Sequence, residues 1–272
     1  MKLITFKHSG NAGDIIYSLS SIMAICMEQG ARAVIYIKLG VPSTFTEKTH
    51  PTGNVMMNSV MYDMLYPLLM DQPYIANVEI HNGEPVDYDL DLFRKDYKNL
   101  SAGNIQSWYS NSYPELRPVL HEANLFVRPR KTDYIIVNRT SRYNNVYIDY
   151  SVLREYDNVY FVGVESEYKA MALHYKKLEH LKVNDFLELA EYIAGCRLFI
   201  GNQSMAFSIA EQLKVKRILE QYIPAPNVIP QGGEYYVTHN MEQFKKSITF
   251  ALHGKNTDTH TTQREQEIGQ SN

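Results

Sequence analysis

Along the chain, continuous apolar runs alternate with segments whose apolar positions recur every three to four residues. Residues 3–7 (LITFK) form the first run. A glycine-containing turn, HSGNAGD, separates it from IIYSLSSIMAICMEQ, where Ile15, Leu19, Ile22 and Cys26 fall at helical spacing before Gly30. Residues 33–39 (AVIYIKL) are nearly unbroken and rich in β-branched side chains, the pattern of a parallel strand covered on both faces. These segments predict a βαβ unit. A loop over 41–53, rich in Pro, Thr, Ser and Gly, is long enough to be expected to line a site. A helix over 56–69 and strands at 78–80 and 88–93 follow, and the pattern assigns no element to 95–113.

Residues 126–131 (FVRPRK) set basic residues around Pro129 just before a new apolar run, as an interdomain linker does. Beyond it the alternation resumes: strands at 134–138 and 159–163, the helix DFLELAEYIAG, strand LFIGN, helix SMAFSIAEQL, strand VKRILE and a last helix over 241–252. The expected fold is α/β, two doubly wound Rossmann-like domains facing across a cleft, over 1–128 and 129–252. The last helix is a candidate to pack back on the first domain. The polar, aperiodic residues 253–272 are expected to be a disordered tail.

At 272 residues there is chain for two such lobes, and 44% hydrophobic with 21% charged residues suits a protein with a substantial core. Charge adds little, since 27 Lys+Arg against 30 Asp+Glu leaves −3 and supplies no global field for nucleic acid or an anionic membrane. Only two cysteines, Cys26 and Cys196, are present, each in an apolar stretch, which argues against a disulfide framework and for a reducing, cytoplasmic setting. No apolar stretch reaches membrane-spanning length, so no stable membrane insertion is expected. The 21 tyrosines suit a polar ligand without establishing one.

Candidate chemistry sits where strands run into helices, because ligands of open α/β sheets bind at the carboxyl ends of strands beside unpaired helix N–H groups. In His8-Ser9-Gly10-Asn11-Ala12-Gly13-Asp14, the aspartate opens a helix. It can be an N-terminal cap or a functional carboxylate, and spacing leaves both open. Gly201-Asn202-Gln203-Ser204 also leads from strand to helix and can hold a phosphate, or be an ordinary turn capped by Ser204. Arg139-Thr140-Ser141-Arg142 follows another strand, where the arginines can pair with a diphosphate or simply be solvated. After the next strand, Glu165 in Gly163-Val164-Glu165-Ser166-Glu167 can accept hydrogen bonds from a ribose or lie in a solvated loop. Asp87-Tyr88-Asp89 has the D-x-D spacing of a metal-binding carboxylate pair, but it opens a strand with acidic residues alternating through Asp91, so a structural role is assigned and no metal is expected.

Two of these segments resemble a known family. GNAGDIIYSLSSIMAI (10–25) and LELAEYIAGCRLFIGNQSMAFSIAEQLKVKRI (187–218) are similar, in the right order, to the N-terminal and donor-site patterns of the heptosyltransferase-like GT-B glycosyltransferases. The chain departs from that pattern in carrying Asn202, Gln203 and Ser204 where an aspartate, Ser/Thr and Gly are usual. It looks like a short, divergent member, of a kind found among viral glycosyltransferases. The resemblance implies metal-independent, inverting transfer from a nucleotide-diphosphate sugar, with no cofactor beyond that donor. It implies Asp14 as catalytic base and His8, Asn11 and Gly13 around the acceptor. Arg139, Thr140, Ser141, Arg142, Glu165, Gly201, Asn202, Gln203 and Ser204 would then hold the donor. The acceptor is open among a glycan, a lipid-linked sugar and a modified nucleobase. A nucleotide-sugar epimerase of the same fold and a non-catalytic nucleotide- or glycan-binding module remain as alternatives.

Overall fold

The computed structural model describes residues 1–43, 53–96 and 103–254. The residues 44–52, within the loop expected to line a site, lie outside the described residues, as do 97–102 and the tail from 255.

The glycine turn and the apolar runs on either side of it build the first sheet. β1 (Lys2–His8) leads through the turn into α1 (Ala12–Glu28), which returns the chain to β2 (Ala31–Ile37). α2 (Ser59–Met70) crosses to β3 (Ile75–Ile80), and the two-residue β4 (Tyr88–Asp89) closes the other edge. All pairs are parallel in the order β3-β2-β1-β4, so the direction of winding switches between β1 and β4. The strand expected over 88–93 is this short because Asp89 Oδ1 accepts the Asp91 N–H, turning the chain into α3 (Phe93–Asp96). A 3-10 helix, Ile105–Asn111, then buries Trp108 and Tyr109.

The second sheet holds six parallel strands. They are β5 (Ile135–Asn138), β6 (Val159–Phe161), β7 (Glu179–His180), β8 (Leu198–Asn202), β9 (Arg217–Glu220) and β10 (Tyr235–Thr238). Their order is β10-β9-β8-β5-β6-β7, switching direction between β5 and β8. α4 (Glu165–Ala172), α5 (Phe186–Gly195), α6 (Met205–Leu213) and α7 (Met241–His253) provide the crossovers and the final cover, and a 3-10 helix (Tyr150–Glu155) follows β5. β5 and β8 are buried at every position, which explains their unbroken apolar sequences. α7 does not return to the first half. Phe244, Ile248 and Ala251 pack with Leu198, Ile200 and Ile218 of the second sheet.

One apolar cluster runs between the two sheets, joining Ile15, Leu19 and Leu65 to Phe186, Leu189 and Phe207. It brings the first turns of α1 and α6 together, so that a Cβ added to Gly13 would lie 3.4 Å from the Met205 Cα. Both switch points therefore open toward one cleft. No helix among the described residues is long and apolar enough to cross a membrane.

Candidate active site

The cleft has a volume of about 1070 Å³. Three helix N-termini reach it: Ala12, Gly13 and Asp14 of α1, Val164, Ser166 and Glu167 at the start of α4, and Ser204, Met205 and Ala206 at the start of α6. Each presents backbone N–H groups and the positive end of a helix dipole, which makes the cleft suited to a ligand carrying several negative charges.

Asp14 stands on this wall at the third position of α1. Its Oδ2 accepts the Asn11 N–H at 3.3 Å and the Arg94 Nη2 at 2.8 Å. Among the described residues none donates to Oδ1. The cap role is thus real, and it uses one oxygen of the two.

Behind Asp14 lies a buried relay. The Gly10 N–H donates to His8 Nδ1 at 2.9 Å, which assigns the ring proton to Nε2; that proton goes to Tyr109 Oη at 3.1 Å, and Tyr109 donates to the Asp14 carbonyl at 2.9 Å. Burial, reinforced by the Arg94 charge, pushes His8 down to about 4 against the pull of Asp91, Asp14 and Asp89. An unfolded histidine titrates at about 6.5, so as the pH falls from about 6.5 to about 4 the unfolded chain binds the proton first and stability is lost, by roughly 3 kcal/mol in all. Above that window the contribution is fully present. Urea denaturation across pH 4–7 checks this: His8→Gln is expected to flatten the slope by close to one proton.

No protein-family profile and no curated protein sequence matches the chain. Solved structures do. A glycosyl transferase family 9 protein from Veillonella parvula DSM 2008 superposes with a TM-score of 0.58 at 11% identity, over 91% of this chain and 89% of that one. E. coli ADP-heptose lps heptosyltransferase II gives 0.60 at 12% identity, over 93% and 98%. E. coli heptosyltransferase WaaC with ADP gives 0.60 at 10% identity, over 92% and 99%. The chain has the GT-B fold of the heptosyltransferases. The likeness in fold covers nearly the whole chain.

Within the GT-B cleft the sequence-derived residues separate into two groups. Asn11, Gly13, Asp14, Thr140, Ser141, Arg142, Gln203 and Ser204 line it. Arg142 lies with its guanidinium 5.5 Å from the Tyr143 ring centroid. Ser204 caps α6, its Oγ accepting the Phe207 N–H, and Gln203 fastens the 222–227 loop through Ala225 O, Asn227 Oδ1 and the Tyr222 N–H.

The other residues expected to contact a ligand lie outside the cleft lining. Arg139 turns away from the cleft into a bidentate pair with the buried Glu220, at 2.9 Å for both contacts, and also donates to the Asn145 and Ile148 carbonyls. Asn202 is fully buried and staples the 140–144 loop: its Oδ1 accepts from the Thr140 N–H and Oγ1, and its Nδ2 donates to the Thr140 and Tyr143 carbonyls. Gly201 serves the packing of β8 on β5, because a Cβ there would meet the Asn138 carbonyl at 2.9 Å. His8 is fully buried behind the wall and takes part in the relay rather than in acceptor contact. Glu165 faces His180 Nδ1 at 3.1 Å, outside the cleft lining, whereas Glu167 lies on the cleft wall with Oε1 accepting the Ser141 N–H. Burial raises the Glu167 carboxyl against the opposing effects of the Ser141 N–H and Arg142.

The D-x-D carboxylates are likewise engaged. Asp87 Oδ2 accepts the Thr5 N–H and Oγ1 at 2.8 Å each, and Asp89 pairs with Lys7 at 2.7 Å. Among the described residues no group of three or more His, Cys, Asp or Glu is arranged to hold a metal. Cleft residues that the pattern did not single out include Arg94, Trp108, Lys182 and four side chains of the 56–64 segment, Met56, Val60, Met61 and Met64.

Proposed function

We propose that the cleft transfers a sugar from a nucleoside-diphosphate sugar to an acceptor hydroxyl by one inverting, metal-independent displacement. The observation that carries this is a carboxylate with a free oxygen on the wall of a GT-B cleft into which three helix N-termini point.

The second half, from about residue 129, takes the nucleotide diphosphate, and the first half takes the acceptor. The acceptor hydroxyl donates to Asp14 Oδ1. As its oxygen bonds to the anomeric carbon, the proton passes to Asp14 and the carbon–oxygen bond to the diphosphate breaks on the opposite face. The departing diphosphate gains negative charge where the first turns of α4 and α6 and the Arg142 guanidinium stand, with Thr140, Ser141 and Ser204 as hydrogen-bonding partners. Glu167 is the acidic group placed to accept from donor hydroxyls, in the role the sequence assigned to Glu165.

Two experiments test this. Nucleoside diphosphates should raise the melting temperature, since a ligand of the folded state stabilises by RT ln(1 + [L]/Kd). Arg142→Ala is expected to weaken that binding roughly tenfold or more, as loss of a charge-assisted contact of about 1.5–3 kcal/mol does, whereas Arg139→Ala should act on stability. Nucleoside-diphosphate release is then followed over a panel of ADP-heptose, UDP-glucose, UDP-N-acetylglucosamine and GDP-mannose. Binding without release from any of these, with or without added acceptor, would count against transfer.

A further inference from the structure

Resting on the transfer reading above, we infer that Arg94 is the positioning residue for the Asp14 carboxylate, and that position 10 is glycine so that the two can meet. Arg94 is 80 residues from Asp14 in the chain, on the short α3 beyond the edge strand. Its fork is used on both sides: Nη2 holds Asp14 Oδ2 at 2.8 Å and Nη1 holds Asp91 Oδ1 at 2.9 Å. Asp91 Oδ1 in turn accepts the Ser9 N–H at 3.0 Å, so the guanidinium is anchored to the very loop that carries the carboxylate. The Phe93 ring lies against it, 4.6 Å from centroid to Cζ.

Gly10 sits under this crossing. A Cβ there would fall 2.5 Å from Arg94 Nη2, 2.6 Å from His8 Cε1 and 2.7 Å from Asp14 Oδ2, so a side chain at this position would have to displace them. The turn is therefore shaped around the pair.

The arrangement fixes which oxygen works. The terminal torsion of an aspartate is broad and roughly two-fold, and without Arg94 the only described contact on the carboxylate is the 3.3 Å one from the Asn11 N–H. A charge-assisted bond on Oδ2 holds the plane of the group and keeps Oδ1 for the acceptor. A lysine would offer one nitrogen in place of the planar fork, which holds Asp14 and Asp91 through separate Nη atoms.

The test is a double-mutant cycle between Arg94→Gln and Asp14→Asn, with turnover read on the panel member that the enzyme uses. Arg94→Gln is expected to lower kcat roughly 10- to 100-fold, the cost of a misplaced catalytic group, while donor KM and nucleoside-diphosphate affinity stay within about twofold. In the Asp14→Asn background the same substitution should change kcat less than about twofold, since the group it positions is gone. Arg94→Lys should recover little, and millimolar guanidinium should restore part of the rate to Arg94→Ala. An equal loss from Arg94→Gln in both backgrounds, or no loss in the wild-type background, overturns the assignment.

Crystal structures give a readout independent of turnover: in Arg94→Gln the Asp14 carboxylate should leave the Asn11 N–H, and an unchanged carboxylate also overturns the assignment. Failure of the transfer reading looks different. There no panel donor would be turned over, or Asp14→Asn alone would leave turnover intact.

Discussion

Asp14→Asn is expected to lower turnover about 10²–10⁴-fold, the range ascribed to a general base, with little change in melting temperature. Asparagine keeps the shape and an oxygen that can still accept the Asn11 N–H, so the first turn of α1 survives. It loses the ability to take a proton. A sugar hydroxyl is a poor nucleophile near neutral pH, so positioning must supply part of the acceleration. Steady-state kinetics and thermal melting on the same preparation check the claim. A folded Asp14→Asn protein with near-normal turnover would reduce the residue to a cap.

The largest expected effect on stability lies below the cleft, in the α6–β9 region that abuts the first half. Glu211 and Arg217 are both fully buried and paired, with Arg217 Nε 2.7 Å from Glu211 Oε2. Glu211 Oε1 also accepts from Lys214 Nζ at 2.7 Å, the Gln231 N–H at 3.1 Å and Gln106 Nε2 at 3.3 Å, the last reaching over from the first half. Glu211→Ala leaves a buried guanidinium without its counter-charge, which costs about 3–5 kcal/mol. For a chain of this size that lowers the melting temperature by roughly 10 °C. Urea denaturation measures it directly. A loss below about 1 kcal/mol would mean that water or a neighbouring residue replaces the carboxylate.

The alternation of elements was legible because strands covered on both faces leave unbroken apolar runs and amphipathic helices leave a 3.6-residue period, and β1, α1, β5, α5, β8 and α6 all carry these marks. α4 leaves neither mark: none of its residues is buried, so a solvated loop stayed open for Gly163-Val164-Glu165-Ser166-Glu167. Without the helix, nothing in the sequence separated Glu165 from Glu167. On a helix the two residues point about 160° apart, and only the second lines the cleft.

Arg139 was misread for a topological reason. It leaves β5, but its partner Glu220 ends β9, two strands away in the sheet, with Asn202 at the end of β8 between them. Which side chains at those strand ends face each other and which face the cleft depends on strand order, and strand order is not written in local sequence. The loop carrying Asp14 was recognisable from its glycines. The pairing with Arg94 joins residues 80 positions apart, one of them in a segment without periodicity, and only the fold brings it into view.

The central claim, a single displacement at a metal-free cleft, is tested most directly by proton NMR of the transferred sugar during turnover of a donor of known anomeric configuration in EDTA. The account predicts a product of the opposite configuration formed at an undiminished rate. A product that keeps the donor's configuration, or a rate that depends on added Mg²⁺ or Mn²⁺, would contradict it.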